Sequence, residues 1–352
     1  MCDDGHIPSA VAVVPVDPEA FLGEQVPLRP VRRVQITTLV DNSLDVFAAD
    51  AGPAGRHPVD RWPRLPAAAH QDDAVFDGPV AEHGFSALVE VQTGEGRVHR
   101  LLFDTGVSPD GMVSNMRRLG LAPDSVAAVV CSHGHFDHTT GLDGLARALG
   151  GPAKLPVVLH PEFWSRRRLM LPGRDPWELP STSRAGLEGL GFEIIERPEP
   201  SFLFDGSVLI TGEVPRTTDF ERGFAIHQAL RNGVWEPDPW ILDEQALIVH
   251  VEGRGLLVLT GCGHAGVVNI VRYARALTGV EHVHAVVGGF HLTGALFEPV
   301  IAPTVEALGA LAPDLVVPAH CTGWGAMHQL ANRLPSAFVP NTVGTRLDLV
   351  AA

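Results

Sequence analysis

The sequence lacks the features that would place the chain in a membrane or on a nucleic acid. No apolar run in its 352 residues approaches the length of a membrane span. Acidic residues outnumber basic ones by 41 to 26, and the formal net charge of −15 disfavours polyanionic partners such as nucleic acids. The amino terminus has no basic segment before an apolar stretch, so we expect no secretory signal.

Cysteine is also scarce. The chain contains only Cys2, Cys131, Cys262 and Cys321, too few for a disulfide framework at this length. We therefore expect a reducing, cytoplasmic setting and a small-molecule substrate, with a homo-oligomer left open. The 45% of hydrophobic residues are typical of a globular protein with a sizeable core.

Strand and helix patterns alternate along most of the chain. Residues 34–40 alternate and are rich in β-branched side chains, and 85–91 and 98–103 form a hairpin pattern around a Gly-Glu-Gly turn. Further strands are predicted at 126–131, 156–160, 207–211, 246–251, 255–260, 283–288 and 315–318, and helices at 113–119, 142–149, 267–277, 304–311 and 326–333. This order predicts an α/β protein with two sheets covered by helices.

The remaining segments predict one domain with additions. Residues 1–30 show no clear period and are interpreted as an irregular leader before a single domain over 31–352. Insertions are predicted near 51–80, 162–184 and 213–243, and long insertions often form lids or binding loops. The last two contain four tryptophans that offer flat surfaces to a ring-containing ligand, or simply pack: Trp164, Trp177, Trp235 and Trp240.

The strongest chemical signal is a short run of metal-binding side chains. His133, His135, Asp137 and His138 directly follow the predicted strand that ends at Cys131. Strand ends in layered sheets face the crevice where ligands bind. Imidazole and carboxylate suit zinc, iron or manganese, and this spacing allows two ions side by side. The alternative, a polar surface turn, fits less well after a buried strand.

Three later histidines also follow predicted strands. His264 lies within 260–266, His291 follows a Gly-Gly pair, and His320 follows the strand ending near Pro318. Because packing would favour Val or Leu at such positions, this repetition predicts a shared metal site. His291 is interpreted either as a ligand or substrate contact, or as a residue that supports a ligand. For Cys262 a buried structural role is favoured over a thiolate ligand.

Asp104 follows the predicted hairpin in the segment Phe103-Asp104-Thr105-Gly106. A carboxylate there is expected to accept a hydrogen bond from a ligand imidazole and to fix its tautomer. A simple turn role is the alternative.

Together these motifs resemble the metallo-β-lactamase superfamily. The resemblance rests on the 133–138 block, the upstream 102–106 segment and His320. Across about residues 34 to 348, the chain is similar to the branch named after 7,8-dihydropterin-6-methyl-4-(β-D-ribofuranosyl)aminobenzene 5′-phosphate synthase. That narrower similarity rests on the segments 38–42, 82–86, 211–216, 243–247, 260–266, 288–292 and 320–323.

The resemblance implies an αββα sandwich with one or two divalent ions at one edge of its sheets. It implies that His133 and His135 bind a first ion, whereas Asp137, His138 and His320 bind a second. The usual bridging aspartate is missing from 260–264, so His264 is the candidate replacement ligand. We expect zinc, with iron and manganese as alternatives.

Three functions follow from this site. The leading prediction is a hydrolase in which the ion activates a water against an ester, lactone, amide or phosphoester. Asp137 and His264 are its predicted catalytic residues. The branch implies an alternative, a transferase that condenses a dihydropterin methyl diphosphate with an aminobenzene ribosyl phosphate. A non-catalytic metal-binding or redox-sensing protein is the third.

Substrate contacts are predicted mainly for the transferase. Asp41, Asn42 and Glu213 are expected to contact a substrate ring, with His291 beside them. Arg216 and the run Arg166-Arg167-Arg168 are expected to hold phosphates. A solvated surface turn is the alternative for the arginine run.

Overall fold

The computed structural model of the chain describes residues 14–15 and 25–352. Most of the predicted leader therefore lies outside the described residues. Its described parts contact the carboxyl-terminal half: Val14–Pro15 forms a short strand, β1, and the amide of Val26 donates to the carbonyl of Leu277. Within the described ranges, no helix is both long and apolar enough to span a membrane.

Two sets of elements follow one another along the chain. The first comprises β2 (Val31–Val40), β3 (Ala54–Arg56), β4 (Arg64–Pro66), β5 (Ala74–Phe76), β6 (Ser86–Thr93), β7 (Val98–Phe103), α1 (Gly111–Arg118), β8 (Ala128–Val130), α2 (Phe136–Thr139), α3 (Leu142–Leu149), β9 (Pro156–Leu159), β10 (Arg167–Leu169), β11 (Trp177–Glu178), α4 (Arg184–Gly189) and β12 (Glu193–Glu196). The second comprises β13 (Ser201–Leu203), β14 (Val208–Ile210), β15 (His227–Arg231), β16 (Val234–Pro237), β17 (Leu247–Val251), β18 (Gly255–Thr260), α5 (Val267–Thr278), β19 (Val283–Gly289), α6 (Glu298–Leu311), β20 (Leu315–Ala319), α7 (Trp324–Arg333) and β21 (Thr345–Val350).

The main strands form two sheets that meet at one corner. The first has the order β3-β21-β2-β6-β7-β8-β9-β12, and the second β1-β13-β14-β17-β18-β19-β20. A single parallel pairing of Val31 with Val251 joins them. Because β7, β8 and β9 run parallel, as do β18, β19 and β20, their carboxyl ends lie side by side.

Three apolar layers hold this arrangement together. One lies between the sheets and includes Val89 and Leu257; a second packs α1 and α3 on the first sheet, and a third packs α5, α6 and α7 on the second. Strands such as β18 are buried on both faces, which explains their unbroken apolar sequences. The result is the predicted αββα sandwich.

Two of the predicted insertions combine into a separate structure. Segments 162–184 and 213–243 contribute β10 and β11, and β15 and β16, to a four-stranded antiparallel sheet of order β11-β10-β15-β16. We call it the inserted sheet. The segment 51–80 instead adds β3 to the edge of the first main sheet and forms the β4–β5 hairpin. The sequence predicted loops in these segments, not the pairing between them.

Candidate metal centre

Strand ends from both sheets converge at one edge of the sandwich. His133 and His135 follow β8, His264 follows β18 and His320 follows β20. The ring centroids of His133 and His264 lie 4.8 Å apart, and those of His138 and His320 lie 5.0 Å apart. The structure thus brings together the six predicted ligands: His133, His135, Asp137, His138, His264 and His320.

These side chains form two groups. In the first, Nε2 of His133 lies 2.9 Å from Nδ1 of His135, and His264 faces both rings. In the second, Oδ2 of Asp137 lies 3.3 Å from Nε2 of His320 and 3.9 Å from Nε2 of His138. This division matches the two ion positions that the resemblance implies.

Cys262 lies between the two groups. Its Sγ is 3.1 Å from Nε2 of His138. It also lies close to the donor atoms of His133 and His264 on one side and of His320 on the other. The sequence favours a structural role for Cys262 and gives the bridging place to His264. The structure places Cys262 there, and it groups His264 with the first group alone.

Hydrogen bonds fix the outer nitrogens of the ligand rings. Oδ2 of Asp104 lies 2.7 Å from Nδ1 of His138 and also accepts from the hydroxyl of Ser132 at 2.7 Å. The same hydroxyl lies 2.9 Å from Nδ1 of His133. Both rings therefore direct Nε2 towards the centre. Asp104 therefore has the contact with a candidate ligand imidazole that the sequence predicted, and its tautomer-fixing role stays a prediction.

Asp41 and Asn42 act on His320 in the structure. One carboxylate oxygen of Asp41 accepts from the amide of His320 at 2.8 Å, and the other accepts from Asn341 at 2.7 Å. Burial raises the pKa of Asp41 to about 6. The side-chain oxygen of Asn42 lies 3.0 Å from Nδ1 of His320. Both residues orient His320, a candidate ligand, and their predicted substrate contacts stay predictions.

Residues 243–245 and the inserted sheet hold the histidine turn from outside. Asp243 accepts from the amide of Gly134 at 2.8 Å and from the buried guanidinium of Arg167 at 2.6 Å. Nε2 of His227, on β15, lies 3.0 Å from Nε2 of His135. Nδ1 of His227 lies 2.9 Å from the carbonyl of Asp238, which supports its tautomer.

His83 and His227 contact the centre although the sequence did not predict them as site residues. His83 is exposed at the edge of the site, with Nε2 3.3 Å from Oδ2 of Asp137. Its segment, 82–86, is one of those on which the family resemblance rests, so the resemblance could have drawn attention to His83. Nothing in the sequence distinguishes His227, because it lies in an insertion whose strand pairing was not predicted.

Several predicted substrate contacts lie elsewhere. The guanidinium of Arg216 donates to the backbone carbonyls of Val214 and Trp240, and Glu213 is exposed. The arginine run does not form one cationic patch: Arg166 pairs with Glu178, and Arg168 stacks over Trp235. Arg167 is the buried member already described. These side chains hold the inserted sheet and its neighbours, and a phosphate contact from them is untested.

Burial sets the protonation of the first group. It lowers the pKa of His133, His135 and His264 well below the usual value, and neighbouring imidazoles lower these pKa values further. At neutral pH the three rings are uncharged. Their nitrogen lone pairs are therefore available to an ion.

In the second group, charged neighbours outweigh the effect of burial on the pKa values. Burial lowers the pKa of His138, but the carboxylates of Asp104 and Asp137 outweigh it and bring the pKa to about 9. Burial raises the pKa of Asp137, yet the histidines around it outweigh that effect and hold the pKa well below its usual value. Asp137 is thus ionised at neutral pH, the form that binds a divalent ion.

The donor set fits a metal centre. Neither ring nitrogen of the buried His264 has a hydrogen-bond partner among the described residues. Such a group costs about 1–3 kcal/mol when left unsatisfied, and an ion would supply the partner. Within the described chain, four overlapping sets of three donors lie within 4.8 Å of one another: His133, Cys262 and His264; His138, Cys262 and His320; Cys262, His291 and Cys321; and His83, Asp137 and His320.

A cavity of about 240 Å³ adjoins the centre. His264 and His291 form part of its wall, and their ring centroids lie 4.1 Å apart. Three phenylalanines are among the other lining residues: Phe220, Phe290 and Phe297. None of the four tryptophans, for which the sequence leaves ligand contact and packing open, lines this cavity. The apolar walls come instead from the 213–243 segment and the loop after β19.

The chain belongs to the metallo-β-lactamase superfamily. The model of the metallo-β-lactamase superfamily matches residues 80–276, a stretch that contains the histidine run and His264. With its clustered donors, the chain is a metal-dependent enzyme of this superfamily.

Two relatives and one solved structure are similar to the chain over most of its length. Over 277 residues the chain is 31% identical to 7,8-dihydropterin-6-methyl-4-(β-D-ribofuranosyl)-aminobenzene-5′-phosphate synthase of Methanocaldococcus jannaschii, covering 76% of this chain and 90% of that protein. An uncharacterised protein of the same organism is 28% identical over 267 residues, covering 74% of this chain and 91% of its own length. The crystal structure of Tm1679, a metal-dependent hydrolase of the β-lactamase superfamily, superimposes with a TM-score of 0.65 at 26% identity, covering 90% of this chain and 99% of Tm1679.

Proposed function

We propose that this enzyme condenses a dihydropterin methyl diphosphate, or a close ring-bearing analogue, with an aminobenzene ribosyl phosphate. The similarity to the Methanocaldococcus synthase carries the proposal, because it extends over 76% of this chain and 90% of that protein. In this reaction the amine of the acceptor displaces diphosphate from the methyl carbon and loses one proton. Product and diphosphate therefore form in equal amounts.

The cavity beside the centre supports a ring-bearing substrate. Phe220, Phe290 and Phe297 give it flat apolar walls, against which a heteroaromatic ring stacks favourably. Arg222 lies on the same wall and is exposed, and its Nε is hydrogen-bonded to the carbonyl of Asp219. We propose that its remaining N–H groups bind a phosphate of the substrate.

The chain's own residues prepare the centre for this chemistry. When bound, a divalent ion held by the two histidine groups would supply positive charge to a diphosphate leaving group. His133, His135 and His264 would hold one ion; Asp137, His138 and His320 would hold the other. We propose zinc as the ion and a reducing, cytoplasmic setting, consistent with unpaired Cys131, Cys262 and Cys321.

The direct test incubates the purified holoenzyme with the dihydropterin diphosphate and the aminobenzene ribosyl phosphate. Mass spectrometry follows the coupled product, and a separate assay follows diphosphate. We expect both in a ratio of one to one, with no diphosphate release when the acceptor is omitted. Absence of the coupled product from metal-replete enzyme would refute the condensation.

Hydrolysis is the second candidate, favoured by the likeness to Tm1679 at 26% identity. A panel of esters, lactones, amides and phosphoesters, assayed with the same preparation, separates the two reactions. Turnover of a panel member without any acceptor, together with the absence of coupled product, would favour the hydrolase. Acceptor-dependent diphosphate release would favour the transferase.

A further inference from the structure

We propose that Cys262 is a thiolate ligand at the middle of the metal centre and is shared by the two ion positions. The proposal rests on the metal dependence of this enzyme and the geometry of its donors, and is independent of which reaction it catalyses. It assigns to one buried cysteine the place that a bridging carboxylate would otherwise take.

The position of the thiol is the first argument. Sγ of Cys262 lies 3.1 Å from Nε2 of His138, the nitrogen that faces the centre. Cys262 belongs to one donor set with His133 and His264, and to another with His138 and His320. No other described residue belongs to donor sets of both ion positions. A bridging ligand must have this property.

The backbone around Cys262 is shaped for close approach. A Cβ at Gly261 would lie 2.0 Å from Oγ of Ser132 and 2.8 Å from Oδ2 of Asp104, so only glycine lets the end of β18 reach the histidine turn. Gly263 has a φ of +77°, which turns the chain directly after the cysteine. These two glycines bring the thiol, and then His264, into the cluster.

The surroundings distinguish Cys262 from an ordinary core cysteine. Cys131 is also fully buried, but it belongs to the apolar layer beneath α3. The thiol of Cys262 faces imidazole nitrogens instead, and Cys321 donates to its backbone carbonyl at 3.3 Å. A thiolate ligand favours zinc, iron or cobalt over magnesium or manganese.

Cobalt binding tests the proposal without any assay of turnover. The apo-protein is loaded with Co²⁺, which gives an intense near-ultraviolet charge-transfer band when a thiolate binds it. We expect two cobalt ions per chain and this band in the wild type. The band should disappear in Cys262→Ser and persist in the matched control, Cys131→Ser, whose thiol lies in the apolar layer beneath α3.

The affinity for cobalt gives an independent measure. Residues that only orient a ligand contribute roughly 10–100-fold to metal affinity, so loss of a shared ligand should weaken at least one ion by about 100-fold. Cys262→Asp, which restores a carboxylate, should bind two ions without the band, and it keeps the test decisive if the serine variant does not fold. A wild-type protein that binds cobalt without the band, or a band that survives in Cys262→Ser, would overturn the assignment.

Discussion

The two halves of the metal centre are built differently. The first half is contiguous: one turn after β8 supplies His133, His135, Asp137 and His138. The second half is dispersed, because Cys262 and His264 follow β18 and His320 follows β20. The carboxylate of Asp104 fixes the first half, because it accepts from the hydroxyl of Ser132 and lies against Nδ1 of His138. The register of three parallel strands fixes the second.

This difference separates what each half contributes. The contiguous turn carries candidate ligands for both proposed ion positions, so damage to it should affect the whole centre. Each dispersed strand end contributes one or two donors. Damage to His264 or His320 should affect one position, whereas damage to Cys262, which we propose to be shared, should affect both. Variants in the two halves therefore test whether the centre behaves as one unit or two.

The largest effect is expected for His133→Ala in the contiguous half. Loss of this ligand should remove bound metal, and turnover should fall by about 1000-fold or more, since an ion contributes several kcal/mol to the transition state. Elemental analysis and the coupling assay measure the two losses together. His328→Ala, an exposed histidine on α7, is the control. Full activity in a metal-free His133→Ala sample would contradict this account.

Asp104→Asn should weaken the centre without deleting a ligand. The amide retains the size of the carboxylate, but it loses the charge that faces Nδ1 of His138 at 2.7 Å. We expect metal affinity to fall by roughly 10–100-fold, measured by competition with a chelator. Asp124→Asn, at an exposed position, should leave the affinity unchanged. Equal metal affinities for Asp104→Asn and the wild type would show that the histidine turn keeps its conformation without this charge.

His227→Ala tests whether the inserted sheet supports the contiguous half. Removing its contact with Nε2 of His135 should reduce metal affinity by about tenfold, near the lower limit for residues that orient a ligand. His227→Gln retains a side chain that can accept this hydrogen bond and should recover part of the loss. If both variants bind metal as tightly as the wild type, the inserted sheet has no part in positioning His135.

Phe297→Ala should have the smallest effect, and only on the substrate. An aromatic contact contributes about 0.5–1.5 kcal/mol beyond buried area, so KM for a ring-bearing substrate should rise by roughly 2–10-fold. The metal content and kcat should not change. Phe47→Ala, at a side chain that is 93% exposed, is the control. An unchanged KM would place the ring outside this cavity.

The sequence predicted the contiguous half better than the dispersed half. The 133–138 run can be recognised from the sequence alone, because all its candidate ligands lie within one turn after a recognisable buried strand. The central position of Cys262 could not be predicted, since it depends on how β18 packs against the turn after β8. For the same reason the contacts of Asp41 and Asn42 with His320 could not be predicted.

The fold shows the same pattern. Long apolar elements were predicted closely: helix α3 and strands β7 and β18 have the predicted bounds. Short or mixed strands such as β12 and β21 were missed, because pairing with a neighbour stabilises them more than their own sequence does. Helix α6 begins at Glu298, six residues before its predicted start. Pro303 lies inside this helix and does not mark its beginning.

The inserted sheet has a consequence for the order of events during synthesis. The histidine turn emerges early, but its contacts with His227 and Asp243 span 92 and 109 positions along the chain. A growing polypeptide therefore carries the turn for a long interval before these contacts form, and closing such loops is a late step. Tight capture of an ion then accompanies completion of the fold, so that bound metal marks a chain that has finished folding.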